Sequence, residues 1–351
     1  MAYSGTTNQT KVNVGQLIEY AFRECGKTAE EQTSQYVEAA KLALFYILQN
    51  LSNRGVNLWM LENKLIGTVK DQTIITLPEG TVDVREANWR YIVTPDISAA
   101  LPASNSNASN LFDSDLSTYA TSLVGANWFG AGFTDGERIY QVGFNSYGTQ
   151  TFNFVFETSA DGVTWTVRKT LPEITLNDRE WYYFTFDPTP EYNFFRIRET
   201  VASTFSLREL SFSYTQQDIP LARLNRDDYW NLPNKQFESQ RSLQYWFDRQ
   251  ITPQMYLWPI PNNDFQLFQL VIEKQLPDVG NMSNELYIPN RWIAAVQKML
   301  SHQMALQFPS IPLDRVQYLE GQANLWLAQA ENEERDKSPI YYAPAISYYT
   351  R

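Results

Sequence analysis

The sequence predicts an α+β protein: helical segments towards both ends, a small antiparallel β-meander, and an all-β segment in the middle. Three observations carry this. Val14, Leu17, Ile18, Ala21 and Phe22 near one end, and Ile293, Val296, Leu300 and Met304 near the other, recur at helical spacing. Residues 245–273 hold three short aromatic, β-prone runs broken by prolines. Residues 95–215 have almost no helical periodicity and carry repeated turn signals such as Asp135-Gly136, Tyr147-Gly148 and Asp161-Gly162. The chain has 351 residues, room for two or three domains, and 43% hydrophobic residues, enough for a sizeable core.

In chain order, residues 1–11 read as a flexible polar arm. Asn13 and Gln16 form a capping box for the first helix, and Gly26 stops it. Thr28 and Glu31 form a second capping box for a helix that reaches about Arg54 and Gly55. Its stripe is Tyr36, Val37, Ala40, Leu44, Ile47, Leu48 and Leu51, while Leu42, Phe45 and Tyr46 lie off it. Apolar residues on more than one side mean a central helix in a monomer, or a subunit interface in an oligomer. Strands are expected over 58–61, 64–69, 73–77 and 82–93, the last interrupted by a bend near Glu86-Ala87-Asn88.

Composition changes at Thr94-Pro95. The segment 94–215 reads as a β-sandwich inserted into the surrounding domain, which comprises 1–93 and 216–351. Tyr183, Phe186, Phe194 and Phe195 read as its core, as do Trp165, Trp181 and Phe184. After it, Tyr245–Phe247, Met255–Trp258 and Phe265–Ile272 form a three-stranded meander covered on both sides. The turn is set by Pro253, and Pro259 and Pro261 end the second strand. The last helix is capped by Asp314 and buries Val316, Leu319, Ala323, Trp326, Leu327 and Ala330. Ser338-Pro339 ends it and begins a Tyr- and Pro-rich tail over 338–351.

The YWFDRQ and YLWPIP runs, with the flanking helix pairs, resemble the head-to-tail adaptor (connector, or tail tubular) proteins of short-tailed bacteriophages. The resemblance covers Val12 to Val93 and Asp218 to Arg351. It implies a structural virion protein with no reaction, assembled in the host cytoplasm and placed in the phage neck. It also implies a homo-oligomeric ring, a dodecamer, beneath the portal protein and above neighbouring tail or nozzle proteins. The tail residues Ile340, Tyr341, Tyr342, Ile346, Tyr348 and Tyr349 would then dock on the portal.

ASNLFDSDLSTYATS, FETSADGVTWT, REWYYFTFDPTPEYNFFRIRE and FSLRELSF follow one another in the order of a discoidin-like (factor 5/8 type C) sandwich, a module also found as a carbohydrate-binding domain. Bridging cysteines are absent, and Ser114 stands where a glycine often follows the aspartate. This second resemblance implies a structural Ca²⁺ held by Asp113, Asp115, Thr118 and Glu209. Tyr119, Trp128 and Phe129 are the candidate sugar-contacting residues on loops. The alternative to the adaptor is therefore a carbohydrate-binding or host-attachment tail protein acting through 94–215.

Net charge is −11, which argues against gripping nucleic acid by phosphate neutralisation. With Glu331, Glu333 and Glu334 at the end of the last helix, it fits DNA as a passing cargo in an acidic channel. The sequence holds no Walker loop, HExxH, GxSxG or Cys/His cluster. The single histidine, His302, lies in a helix pattern, and the single cysteine, Cys25, reads as core. No apolar run is long enough to span a membrane.

Overall fold

The computed structural model describes residues 11–27, 33–53, 58–187, 189–201 and 203–333. The Thr28–Glu31 capping box, Arg54, Gly55, Glu334 and the tail residues Ile340, Tyr341, Tyr342, Ile346, Tyr348 and Tyr349 lie outside them. The chain divides into two compact units, one drawn from Met1–Leu61 and Lys274–Arg351, the other Glu62–Glu273. Composition marks the start of the sandwich at Thr94, but the strands on either side of it cluster with it in the second unit.

The first unit is helical. Helix α1 (Val14–Glu24) begins with the expected reciprocal cap: Gln16 N–H donates to Asn13 Oδ1 at 2.8 Å, and Asn13 N–H to Gln16 Oε1 at 3.1 Å. Gly26, at φ 76°, ends it. Helix α2 spans Ser34–Asn53. After α3 (Arg226–Trp230), which belongs to the second unit, come α4 (Asn290–Ala305) and α5 (Leu313–Glu333). The central helix is α4 and not α2: it packs against α1, α2 and α5, with Trp292, Val296, Leu300 and Met304 buried. Cys25 is buried as expected, and burial, with the nearby Glu24 carboxylate, pushes its thiol up to about 11, leaving it protonated.

Helix α5 differs from expectation in two details. Pro312 supplies the first carbonyl, accepting from Arg315 N–H at 3.0 Å, so Asp314 sits in the first turn and is not the cap. Trp326 is partly exposed, off the buried row Leu319, Ala323, Leu327 and Ala330.

The second unit is built of sheets. The sandwich faces a five-stranded sheet, ordered 166–170, 154–159, 192–199, 128–137 and 99–101, against strands Ser206–Pro220, Gln141–Ser146 and Trp181–Thr185. Its core is nearly all aromatic and aliphatic, with Phe129, Phe144, Phe152, Phe154, Phe156, Phe195 and Phe212 fully buried. Phe184 and Phe195 are core as expected. Phe194 is only partly buried, and Trp165 is not core at all but lies partly exposed on the outer face.

Strand Ser206–Pro220 joins the sandwich to its flanks. It pairs first with Gln141–Ser146 and then with Thr81–Val93, so one sheet runs through both. The irregularity expected on Thr81–Val93 falls instead on this partner, between Thr215 and Gln217, and Thr81–Val93 is continuous. The expected strands 58–61 and 64–69 are a single strand, Leu61–Thr68, preceded by the 3-10 turn Leu58–Met60. Trp181 and Tyr183 point away from the sandwich core into a separate cluster with Leu65, Leu116, Phe265 and Leu267. Glycines permit that contact. A Cβ on Gly67 would lie 2.6 Å from Trp181 Cβ, and one on Gly143 2.2 Å from Tyr183 Cε1.

The meander is also rearranged. Gln244–Asp248 pairs with Gln254–Trp258 as expected, but Gln266–Lys274 leaves for the long sheet, between Leu61–Thr68 and Thr81–Val93. Alternation explains the move. Phe268, Leu270 and Ile272 face the core containing Tyr245, Phe247 and Leu257, while Leu267 faces the Trp181 cluster. A strand apolar on both faces needs a central place. The other face of Gln244–Asp248 is covered too, with Trp246 stacked on Tyr256 at 4.7 Å and on Tyr229 of α3 at 5.3 Å.

Candidate functional site: the loop end of the sandwich

The loop carrying the expected metal and sugar residues follows a 3-10 turn, Ala108–Phe112, anchored by buried Ala108 and Leu111. Ser114 then takes φ 61°, a left-handed conformation in which glycine is easier. The loop is held from strand Ser206–Pro220. A register shift between Leu207 and Glu209 lets both Arg208 and Glu209 reach it, although adjacent residues of a regular strand would point apart. Arg208 Nη1 donates to Leu116 O at 2.7 Å, and Glu209 Oε1 accepts from Asp115 N–H at 3.0 Å.

Arg208 also pairs with Asp178 at 3.0 Å. Asp178 in turn accepts from Gly148 N–H at 2.7 Å, which fixes the Tyr147-Gly148 turn. That hydrogen bond and the Arg208 guanidinium hold the Asp178 carboxyl below its ordinary range. The result is a rigid frame under an aromatic pair. Tyr119, 41% exposed, stacks on Tyr147 with ring centroids 3.8 Å apart and planes 13° from parallel. The Arg208 guanidinium lies 4.7 Å from the Tyr147 ring. The sequence marked Tyr147 only as part of a turn, and gave Asp178 and Arg208 no role at the site. The Asp178-Arg179 turn and the Tyr147-Gly148 turn are distant in the chain and meet only through the sheet.

The other two sugar candidates separate. Phe129 is 0% exposed and packs on Phe205, so it is a core residue and not a sugar contact. Trp128, its neighbour on the strand, faces outward and is partly buried. Arg196 lies 5.0 Å from the Trp128 ring and 3.9 Å from Trp165, and its guanidinium pairs with buried Glu157 at 2.5 Å. Burial alone would raise the Glu157 carboxyl, but Arg198 and Arg196 overcome it and hold it low. This face is therefore already occupied by its own cation.

Of the four residues expected to hold Ca²⁺, three side chains converge. Asp113 Oδ2 lies 2.9 Å from Thr118 Oγ1, and the Asp113 carboxyl is close enough to that of Glu209 to raise it. Asp115 turns its carboxylate to Ser117 N–H at 2.8 Å and faces solvent. Its carbonyl, however, is 3.0 Å from Thr118 Oγ1, and that of Asn110 is 3.3 Å away. Among the described residues no group of three or more His, Cys, Asp or Glu side chains is placed to hold a metal. The oxygens present still fit a hard cation. One hydroxyl hydrogen cannot serve three acceptors, and among the described residues the buried Glu209 carboxyl has no salt-bridge partner. Burial first, and the Asp113 carboxylate second, push Glu209 up to about 8.

Glu331 and Glu333 lie in the last turn of α5. Among the described residues no helix is long and apolar enough to cross a membrane.

No protein-family model matches the chain, and no curated protein matches it. Solved structures do resemble part of it. One is the CBM32 of AlyQ in complex with 4,5-unsaturated mannuronic acid, at 18% identity and TM-score 0.29, covering 34% of this chain and 97% of that one. A pectin-binding carbohydrate-binding module has 16% identity and TM-score 0.29, covering 34% of this chain and 91% of the other. An F5/8 type C domain from Bacteroides fragilis has 14% identity and TM-score 0.28, covering 37% of this chain and 99% of its own.

Proposed function

We propose that this chain is a non-enzymatic glycan-binding protein whose contact surface is the loop end of the 94–215 sandwich. The observation that carries the reading is the exposed Tyr119 ring, stacked on Tyr147 and held by the Arg208–Asp178 pair. A flat aromatic face on a rigid mount covers the apolar face of a pyranose at little entropic cost. Asn110, Asp178 and Arg208 place hydrogen-bonding groups around it. Ca²⁺ bound by Asp113, Glu209, Thr118 and the carbonyls of Asn110 and Asp115 would rigidify the same loop. The test is retention of the full chain on a panel of immobilised polysaccharides. Retention lost in Tyr119→Ala, with melting unchanged, supports the reading. Retention on no polysaccharide, or equal retention of the variant, refutes it.

A second reading is the ring-forming head-to-tail adaptor of a short-tailed phage, in which the sandwich decorates the neck and DNA passes through. One observation favours it: Leu42 and Tyr46 of α2 are 52% and 61% exposed, with Trp326 and Leu325 of α5 also exposed. Apolar side chains in such numbers on helix surfaces suit lateral packing between subunits. Co-sedimentation with purified portal rings tests it, and a protein that stays monomeric and free of portals at all concentrations contradicts it.

A further inference from the structure

Apart from the loop end, the second unit contains a cleft of about 1000 Å³ where the sandwich meets its flanking strands. Trp89 and Tyr91, successive residues on one face of strand Thr81–Val93, stack 5.8 Å apart along it, and Tyr91 is exposed. Gln266 and Arg241 line it from the flanking strands and loops, and Ser211 from the strand that leaves the sandwich.

Three polar atoms of these residues are buried without a hydrogen-bond partner among the described residues: Trp89 Nε1, Ser211 Oγ and Gln266 Oε1. Each such atom carries the full cost of its lost hydration if it stays unpaired. Gln266 is 2% exposed, and its amide is locked because Nε2 donates to Gln240 O at 2.7 Å. Its Oε1 is thereby left as a fixed acceptor, in a cleft also lined by an indole that can only donate.

Charge narrows the ligand further. Arg90 is committed: it forms a bidentate pair with Asp218 at 2.8 Å and also donates to Gln269. Arg241 shows no carboxylate partner among the described residues, and its guanidinium lies 5.8 Å from the Trp89 ring. No Asp or Glu lines the cleft among the described residues. In a chain of net charge −11, a cation left without an anion inside a cleft marks a place for one.

We propose that this cleft binds a hexuronic acid unit of an acidic saccharide, through the Arg241 guanidinium, the unpaired Trp89 N–H and Gln266 Oε1, and the exposed Tyr91 ring. The ligand's carboxylate pairs with Arg241, a ring hydroxyl donates to Gln266 Oε1, and a second oxygen accepts from Trp89 Nε1. This cleft shares Ser114 with the loop-end loop, but Tyr119 does not line it.

The experiment titrates the full chain with glucuronate, galacturonate and mannuronate oligomers, and with their carboxyl-reduced forms, following tryptophan fluorescence. At least one uronate oligomer should bind saturably, and its reduced form at least about tenfold more weakly. Arg241→Gln should weaken binding by at least about tenfold. Trp89→Phe keeps a ring but removes the N–H, and should weaken binding about fivefold. Tyr119→Ala should leave it unchanged, which separates this site from the loop-end surface. The proposal is overturned if no uronate oligomer binds, if a folded Arg241→Gln binds as the wild type does, or if Tyr119→Ala alone abolishes binding.

Discussion

Replacing Glu209 with Gln should stabilise the calcium-free protein at pH 8 and abolish its response to calcium. The carboxyl is buried at 4% exposure and titrates at about 8, against an ordinary 4.5. Without a cation the folded state keeps a proton that the unfolded chain has already released. Stability is then fully present below pH 4.5, falls as pH rises from there to about 8, and is flat above. At about 1.4 kcal/mol for each tenfold, the ceiling on this loss is about 4–5 kcal/mol, or about 10–20 °C in melting temperature for a domain of this size. Calcium, if held there as proposed, would take the place of the proton, so its stabilisation should be largest at pH 8 and smallest at pH 5. The assay is thermal unfolding by tryptophan fluorescence at pH 5, 6.5 and 8, in calcium or in chelator, for wild type and Glu209→Gln. Identical wild-type melting in calcium and chelator at pH 8 would refute the cation. A wild-type stability that rises between pH 5 and 8 in chelator would refute the assignment of the raised carboxyl.

Other parts of the fold make sharper structural predictions. Gly143→Ala places a methyl 2.2 Å from Tyr183 Cε1, and Gly67→Ala one 2.6 Å from Trp181 Cβ, so each should cost about 1–3 kcal/mol or more in urea unfolding. Either variant unfolding like wild type would show that the two ring contacts are loose. Glu157→Ala removes the anion between Arg196 and Arg198 and should destabilise by about 3 kcal/mol, with Arg196→Met costing less because Arg198 still pairs. If the helical faces self-associate, Leu42→Asp and Tyr46→Asp should shift sedimentation to the monomer while far-ultraviolet circular dichroism is unchanged. A wild type that is already monomeric at high concentration removes that reading.

What sequence revealed was mostly local. The Asn13–Gln16 cap, the Gly26 stop and the Pro253 turn each depend on residues a few positions apart, and each forms as expected. Of the expected core residues of the sandwich only Phe184 and Phe195 are buried in that core, although the sandwich itself followed from turn spacing. Long-range choices did not. The apolar residues of α2 could not say that α4 would take the centre, because both helices carry broad stripes. Strand Gln266–Lys274 is adjacent in sequence to the meander, yet its two apolar faces commit it to the long sheet. At the site, Trp128 and Phe129 were grouped by composition, although neighbours on a strand face opposite sides, and only Trp128 faces outward. Arg208 was invisible because its role depends on the register shift beside Glu209, and such shifts leave no clear mark in one sequence.

The central claim is that the Tyr119–Tyr147 surface holds a sugar. Its most direct test is calorimetric titration of the best-retained oligosaccharide into the full-length wild type, Tyr119→Ala and Trp128→Ala. Tyr119→Ala should lose at least about tenfold in affinity, roughly 1.4 kcal/mol, while Trp128→Ala, whose ring already has Arg196 beside it, should stay within about twofold. Equal affinity for wild type and Tyr119→Ala, or a loss confined to Trp128→Ala, would contradict the account.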